Sequence, residues 1–254
     1  MNWISGFLPE QISALTLVIL VTASFFTSAV SAAIGIGGGV MLLALMANLI
    51  APSAIIPVHA TVQLGSTVGR VLALFRFVDW SMVLWFSVGG VVGVLLGGQV
   101  AINLPPESLQ LAIGAFILYS TWMPVFRLSS TRRSLALLGG GTSFLSMLVG
   151  GVAPFIFVVL KALFTDHRGL VATLAAILTF QAFAKALTFS LFGFLFAEWY
   201  LTIALMVITG FAGTLTGKLF LDRVPADKAK PVVKVVLTLL ALRLLYLGLM
   251  NLAK

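Results

Sequence analysis

Ser31-Ala-Ala-Ile-Gly-Ile-Gly-Gly-Gly39 interrupts a long apolar run and places four glycines, Gly35, Gly37, Gly38 and Gly39, in five positions. Each glycine costs a helix interior about 1 kcal/mol relative to alanine. Four together predict that the helix breaks here and bares its backbone. Lipid cannot hydrogen-bond to bare peptide groups, so such a break must face protein or a protein-lined cavity. The rest of the chain reads as the scaffold that provides this shelter.

Composition sets the class. The chain has 254 residues, of which 61% are hydrophobic and 9% charged, against about 25% charged in a soluble domain. Mean hydropathy is +1.17. Apolar segments fall at 12–34, 38–50, 57–77, 80–101, 107–125, 134–149, 152–165, 169–196, 198–220 and 231–252. The pattern predicts an all-α polytopic membrane protein of about ten helical segments. Strict apolar–polar alternation is absent, which argues against a β-barrel. The second, sixth and seventh segments fall short of the roughly 20 residues needed to span a bilayer. Residues 1–10 lack a basic start and the next apolar run is too long for a cleavable leader, so no signal peptide is expected. Cysteine is absent, which leaves neither disulfides nor thiolate metal sites.

The net charge of +8 is a topology signal rather than a nucleic-acid one, because Lys and Arg mark the cytoplasmic side of a membrane protein. Alternating the segments puts Arg76, Arg127, Arg132, Arg133, Arg168, Lys218, Arg223, Lys228 and Lys230 at or near one face. The other face receives Lys254 and little else. Both termini are therefore expected outside, with the basic loops in the cytoplasm.

The chain also repeats. Phe77-Val-Asp-Trp80 recurs as Phe196-Ala-Glu-Trp199, and at the same offset Gly98 matches Gly217 and Pro106 matches Pro225. Upstream, Ser28-x-x-Ser31-x-x-x-Gly35 matches Ser143-x-x-Ser146-x-x-x-Gly150. The matches keep their order and predict two repeats, 1–127 and 128–254. Five segments in each invert the second relative to the first, an architecture of secondary transporters with the substrate near the midplane.

Gly35-Ile-Gly-Gly-Gly39 followed by Pro57-x-His-x-Thr61, and Ser146-x-x-x-Gly-Gly-x-x-Pro154 followed by Thr179-Phe-Gln181, resemble the TauE/SafE family of sulfite and organosulfonate exporters, within the 4-toluene sulfonate uptake permease superfamily. The resemblance covers nearly the whole chain. It implies a carrier of sulfur-containing anions, a sulfonate such as sulfoacetate or sulfite itself, in a bacterial-type plasma (inner) membrane. It implies no cofactor. The second copy departs from the first, because Gly37-Gly38-Gly39 becomes Val152-Ala153-Pro154, so the halves are expected to contribute unequally.

The candidate substrate site follows from both breaks. Gly35, Gly37, Gly38 and Gly39, with Gly150, Gly151 and Pro154, are expected to present backbone N–H groups and helix N-termini to an anion. Close helix packing is the competing reading of such glycines. Ser31 and Ser146 lie a turn before each break, positioned to donate to an oxyanion or to bond back to their own helix. His59, Thr61 and Gln63 follow the first break; Gln181 and Lys185 follow the second. Polar groups there are costly in lipid and turn inward. Lys185 has no acid on its segment, so a bound anion, a carbonyl or an acid elsewhere must receive it. Arg70 either snorkels past Arg76 or lines a vestibule.

The acids Glu10, Asp79, Glu107, Asp166, Glu198, Asp222 and Asp227 all fall at segment ends. A cation pathway needs carboxylates at the midplane, so their placement favours an anionic substrate. Asp79 and Glu198 precede Trp80 and Trp199 and read chiefly as helix caps beside interfacial anchors. Proton coupling would use His59 or one of these acids.

No phosphate loop, dinucleotide fingerprint, metal cluster or nucleophile elbow is present, so an enzyme is not expected. The expected partners are a small anion and the lipid bilayer, with a homodimer compatible and nucleic acid excluded. The reading is a secondary transporter, an exporter by resemblance, working by alternating access. An anion-permeable channel is the alternative. Tags at the two termini should be reachable from the outer face of intact cells only; tags on opposite sides would mean an odd number of crossings.

Overall fold

In a computed structural model, the structure describes residues 9, 12–34, 37–122, 131–220 and 226–252. Among them are ten α-helices and no strand. They are α1 (Ala14–Ile34), α2 (Gly38–Ala47), α3 (Pro52–Leu74), α4 (Trp80–Asn103), α5 (Pro106–Trp122), α6 (Arg132–Val149), α7 (Ala153–Leu163), α8 (His167–Leu191), α9 (Tyr200–Phe220) and α10 (Ala226–Leu252). Five carry stretches long and apolar enough to cross a membrane: Ala14–Ala32, Trp80–Asn103, Arg168–Leu191, Phe196–Gly217 and Pro231–Leu252. Large apolar side chains lie exposed on them, including Leu15, Val88, Leu191, Ile208 and Leu239, as lipid-facing helices require. The molecule is a multi-pass helical membrane protein.

The helices track the apolar segments closely, with two instructive differences. The third starts at Pro52 rather than Pro57, which lies inside α3. Proline at the first helical position lacks only an N–H that would be unpaired anyway, and Pro52 supplies that start. The eighth stops at Leu191 rather than 196. Gly193 takes φ +88°, a left-handed conformation that ends helices, and Phe196–Trp199 forms a separate 3-10 turn.

Both expected breaks are present, and they are built differently. Gly37 adopts φ +106° as the N-cap of α2. A Cβ on Gly38 would strike the Thr27 carbonyl oxygen and lie 2.7 Å from the Ser31 Cβ. Thr27 lies two turns before the end of α1, so the chain reverses and α2 starts folded back against α1. At the second break Gly150 takes φ +82° and closes α6, its N–H donating to the Ser146 carbonyl at 3.0 Å.

Hydrophobic burial gives little drive between helices in lipid, so close packing carries the assembly. Two glycine stripes do this. Along α4, Gly89, Gly93 and Gly97 meet the backbone of Ala136, Gly140 and Phe144 on α6. Along α9, Gly213 and Gly217 meet the backbone of Phe25 and Ala29 on α1. α3 packs on α8 between these pairs, and α5 packs on α10. α2 sits at the centre with Val40, Leu43 and Met46 buried.

Two acids at helix ends serve as caps. The Asp79 carboxylate accepts from the Met82 N–H at 3.0 Å, and Asp166 accepts from the N–H groups of Arg168 and Gly169 at 3.2 and 3.0 Å. Trp80 is exposed as an interfacial anchor should be, but Trp199 is 3% exposed and packs as core.

Gly93→Val should prevent α4 from reaching α6 and cost about 1–3 kcal/mol or more, read as a lower Tm in detergent. Gly141, where an added Cβ meets nothing within 4 Å, should accept alanine with unchanged or raised Tm.

Candidate functional site

The two breaks meet across one small cavity of about 50 Å³. The first half lines it with Ser31, Gly37, Gly39, Val40, Gln63 and Arg70, and the second with Gly151, Ala153, Pro154, Phe157, Leu174 and Leu178. No carboxylate is among them.

The donors come from the first half. Among the described residues Met41 is the first of α2 to close a backbone bond, donating to the Gly37 carbonyl at 2.9 Å. The N–H groups of Gly38, Gly39 and Val40 precede it at the helix start and find no acceptor among the described residues. Gly37 offers no side-chain cap to take them, and the partial positive charge of the helix end adds to their pull on an anion. The second start is poorer. Pro154 has no N–H, and Phe155 already donates to the Val152 carbonyl at 3.0 Å, which leaves Ala153 as the main donor of α7.

Three polar side chains complete the first-half wall. Ser31 and Gln63 make no side-chain hydrogen bond among the described residues. Gln63 lies so near Gly39 that a Cβ there would strike its amide nitrogen. Arg70 donates from Nη2 to the Ser66 hydroxyl at 3.2 Å, while its Nε is buried without a partner among the described residues.

Seven expected site residues thus line the cavity: Ser31, Gly37, Gly39, Gln63, Arg70, Gly151 and Pro154. Gly35 lies outside the described residues. The others are not among its lining residues. Gly38 seats α2 on α1. Thr61 bonds back to the Pro57 carbonyl at 3.0 Å and faces a separate groove with Ser190 and Tyr200. Ser146 bonds back to the Ser143 carbonyl at 2.8 Å. Gln181 donates to the hydroxyls of Thr142 and Ser143 at 3.3 and 3.1 Å. Lys185, buried in α8, donates to the Gly150 carbonyl at 2.6 Å, so here the partner of this lysine is a carbonyl. His59 lies behind Gly39, with Nε2 2.9 Å from its carbonyl oxygen.

Val40, Ala153, Phe157, Leu174 and Leu178 were not anticipated. Part of their signal was periodic. Leu174, Leu178, Gln181 and Lys185 recur at spacings of four, three and four, one face of a helix, and Phe157 lies one turn beyond Pro154.

Paired helix breaks around a small cavity, inside a multi-pass helical bundle, fit a membrane transport protein. A family comparison narrows the class. The family model described as Sulfite exporter TauE/SafE matches residues 20–244, and the chain belongs to that family. No match was found among the curated proteins or among the solved structures.

Lys185→Met should leave the buried Gly150 carbonyl unpaired, at a cost of about 1–3 kcal/mol. Ser31→Ala removes a hydroxyl with no hydrogen-bond partner among the described residues and should leave stability unchanged. Thermal unfolding of the two variants separates these roles.

Proposed function

We propose that this protein is a secondary transporter, an exporter, that binds a small sulfur oxyanion in the cavity between the two breaks. The observation that carries this is one cavity lined, among the described residues, by the start of α2 and by Ser31, Gln63 and Arg70, whose buried Nε has no partner there, with no carboxylate beside them. Arg70 balances the charge, a role its planar donor fork suits.

Size selects within the class. A cavity of about 150 Å³ takes benzene; this one, at about 50 Å³, suits sulfite or the head group of a sulfonate. The body of a longer sulfonate such as sulfoacetate would need the walls at Phe157, Leu174 and Leu178 to part.

The helix packing supports two inverted repeats, 1–127 and 128–254. α1 pairs with α9 as α6 pairs with α4, while α3 pairs with its counterpart α8 and α5 with α10. A twofold relation between halves produces this pattern. We place both termini on the outer face of a bacterial-type inner membrane, from the charge asymmetry. Alternating access then exposes the cavity to each side in turn, possible in a monomer or a homodimer, without enzymatic chemistry.

Purified protein should bind sulfite and methanesulfonate, and bind bulky aryl sulfonates less tightly. Arg70→Gln should weaken sulfite binding roughly 10- to 150-fold, the worth of a charged hydrogen bond. Absence of anion binding, or an unchanged Kd in the variant, would overturn this assignment.

A further inference from the structure

We propose that His59 is the proton site of the carrier, taking up a proton at Nδ1 when an anion occupies the neighbouring cavity. This rests on the anion-binding reading above.

The His59 ring sits between the two breaks. Its Nε2 faces the Gly39 carbonyl at 2.9 Å. A carbonyl only accepts, so Nε2 carries the hydrogen and Nδ1 of the neutral ring is a bare acceptor. On the other side, Cε1 lies 3.9 Å from where a Cβ on Gly151 would stand. Gly39 and Gly151 both line the cavity. The side chain is 1% exposed, and Nδ1 is buried with no partner among the described residues. A bare buried lone pair is costly, and protonation turns this atom into a charged donor that calls for an acceptor or counter-charge beside it.

The surroundings decide when that proton arrives. α2 (Gly38–Ala47) and the turn Gly150–Val152 present no titratable side chain to the ring. α8 presents Lys185, whose Nζ donates to the Gly150 carbonyl of that same turn. Charging the imidazole beside an ammonium, out of water and without a carboxylate, is unfavourable. An anion between the two helix starts supplies the missing counter-charge. Anion and proton therefore favour each other's binding, and the coupling is reciprocal. The described carboxylates lie at helix ends: Asp79 and Asp166 cap α4 and α8, Glu107 opens α5 and Glu198 lies in a 3-10 turn. None adjoins the cavity, so a proton travelling with the anion has His59 as its buried receiver.

The chain has two histidines, which permits a direct test. Protein carrying His167→Gln and ¹⁵N-labelled histidine reports on His59 alone. Sulfite is titrated in near neutral pH while ring nitrogen shifts are followed, and affinity is measured in parallel across pH. The expected result is conversion of Nδ1 from bare to protonated as sulfite saturates, with binding tightening towards acid by up to about tenfold per pH unit. His59→Gln keeps a donor for Gly39 but takes no proton, and should bind with a flat pH profile after correction for sulfite's own titration. An Nδ1 that stays bare at saturation overturns the inference and leaves the anion site standing. Failure of sulfite to bind at all overturns both. If His59→Gln does not fold, the nitrogen shifts of the histidine protein decide alone.

Discussion

Lipid offers no hydrogen bonds, and this constraint governs the whole arrangement. A helix that breaks inside the bundle must hand its bare N–H and carbonyl groups to protein, or to something protein encloses. Here two helices break. Two side chains reach carbonyls beside the breaks: Lys185 donates to the Gly150 carbonyl and His59 to the Gly39 carbonyl. The start of α2 lines the cavity, and the N–H groups of a helix start are ones an anion would satisfy.

The glycine stripes make this possible at a distance. α1 is locked to α9 and α6 to α4 by backbone-to-backbone approach, so each sequence half is interlaced with the other. That interlacing brings Gly37–Val40 of one half within a few residues' reach of Gly151–Pro154 of the other. The cavity belongs to neither half alone. Its chemistry is nevertheless lopsided: the first half supplies the donors and the cation, and the second supplies apolar walls. Pro154, standing where the first half has Gly39, removes an N–H and so accounts for part of the difference.

Much of the fold was readable in the sequence because membrane helices are written in long apolar runs, and the ten segments correspond to the ten helices. The break at Gly35–Gly39 was readable because glycine clusters have no place in a helix interior. Less legible was which polar residues reach the cavity. Gln181 and Lys185 share a helix face with Leu174 and Leu178, yet only the leucines line the space. The hydroxyls of Thr142 and Ser143 and the Gly150 carbonyl draw the polar pair aside, and such partners come from helices distant in sequence. Arg70 shows the converse. Its position near Arg76 suggested snorkelling, but its Nε is buried at the cavity, a placement set by how α3 packs rather than by its neighbours in sequence.

The central claim is that the starts of α2 and α7 hold an anion between them with Arg70 as its counter-charge. An experimental structure of the protein with selenite, a heavier stand-in for sulfite, tests it most directly. The account predicts density within hydrogen-bond distance of the Gly39 and Val40 N–H groups and the Arg70 guanidinium. Density seated instead against Lys185, or a cavity that stays empty at saturating selenite, would contradict it.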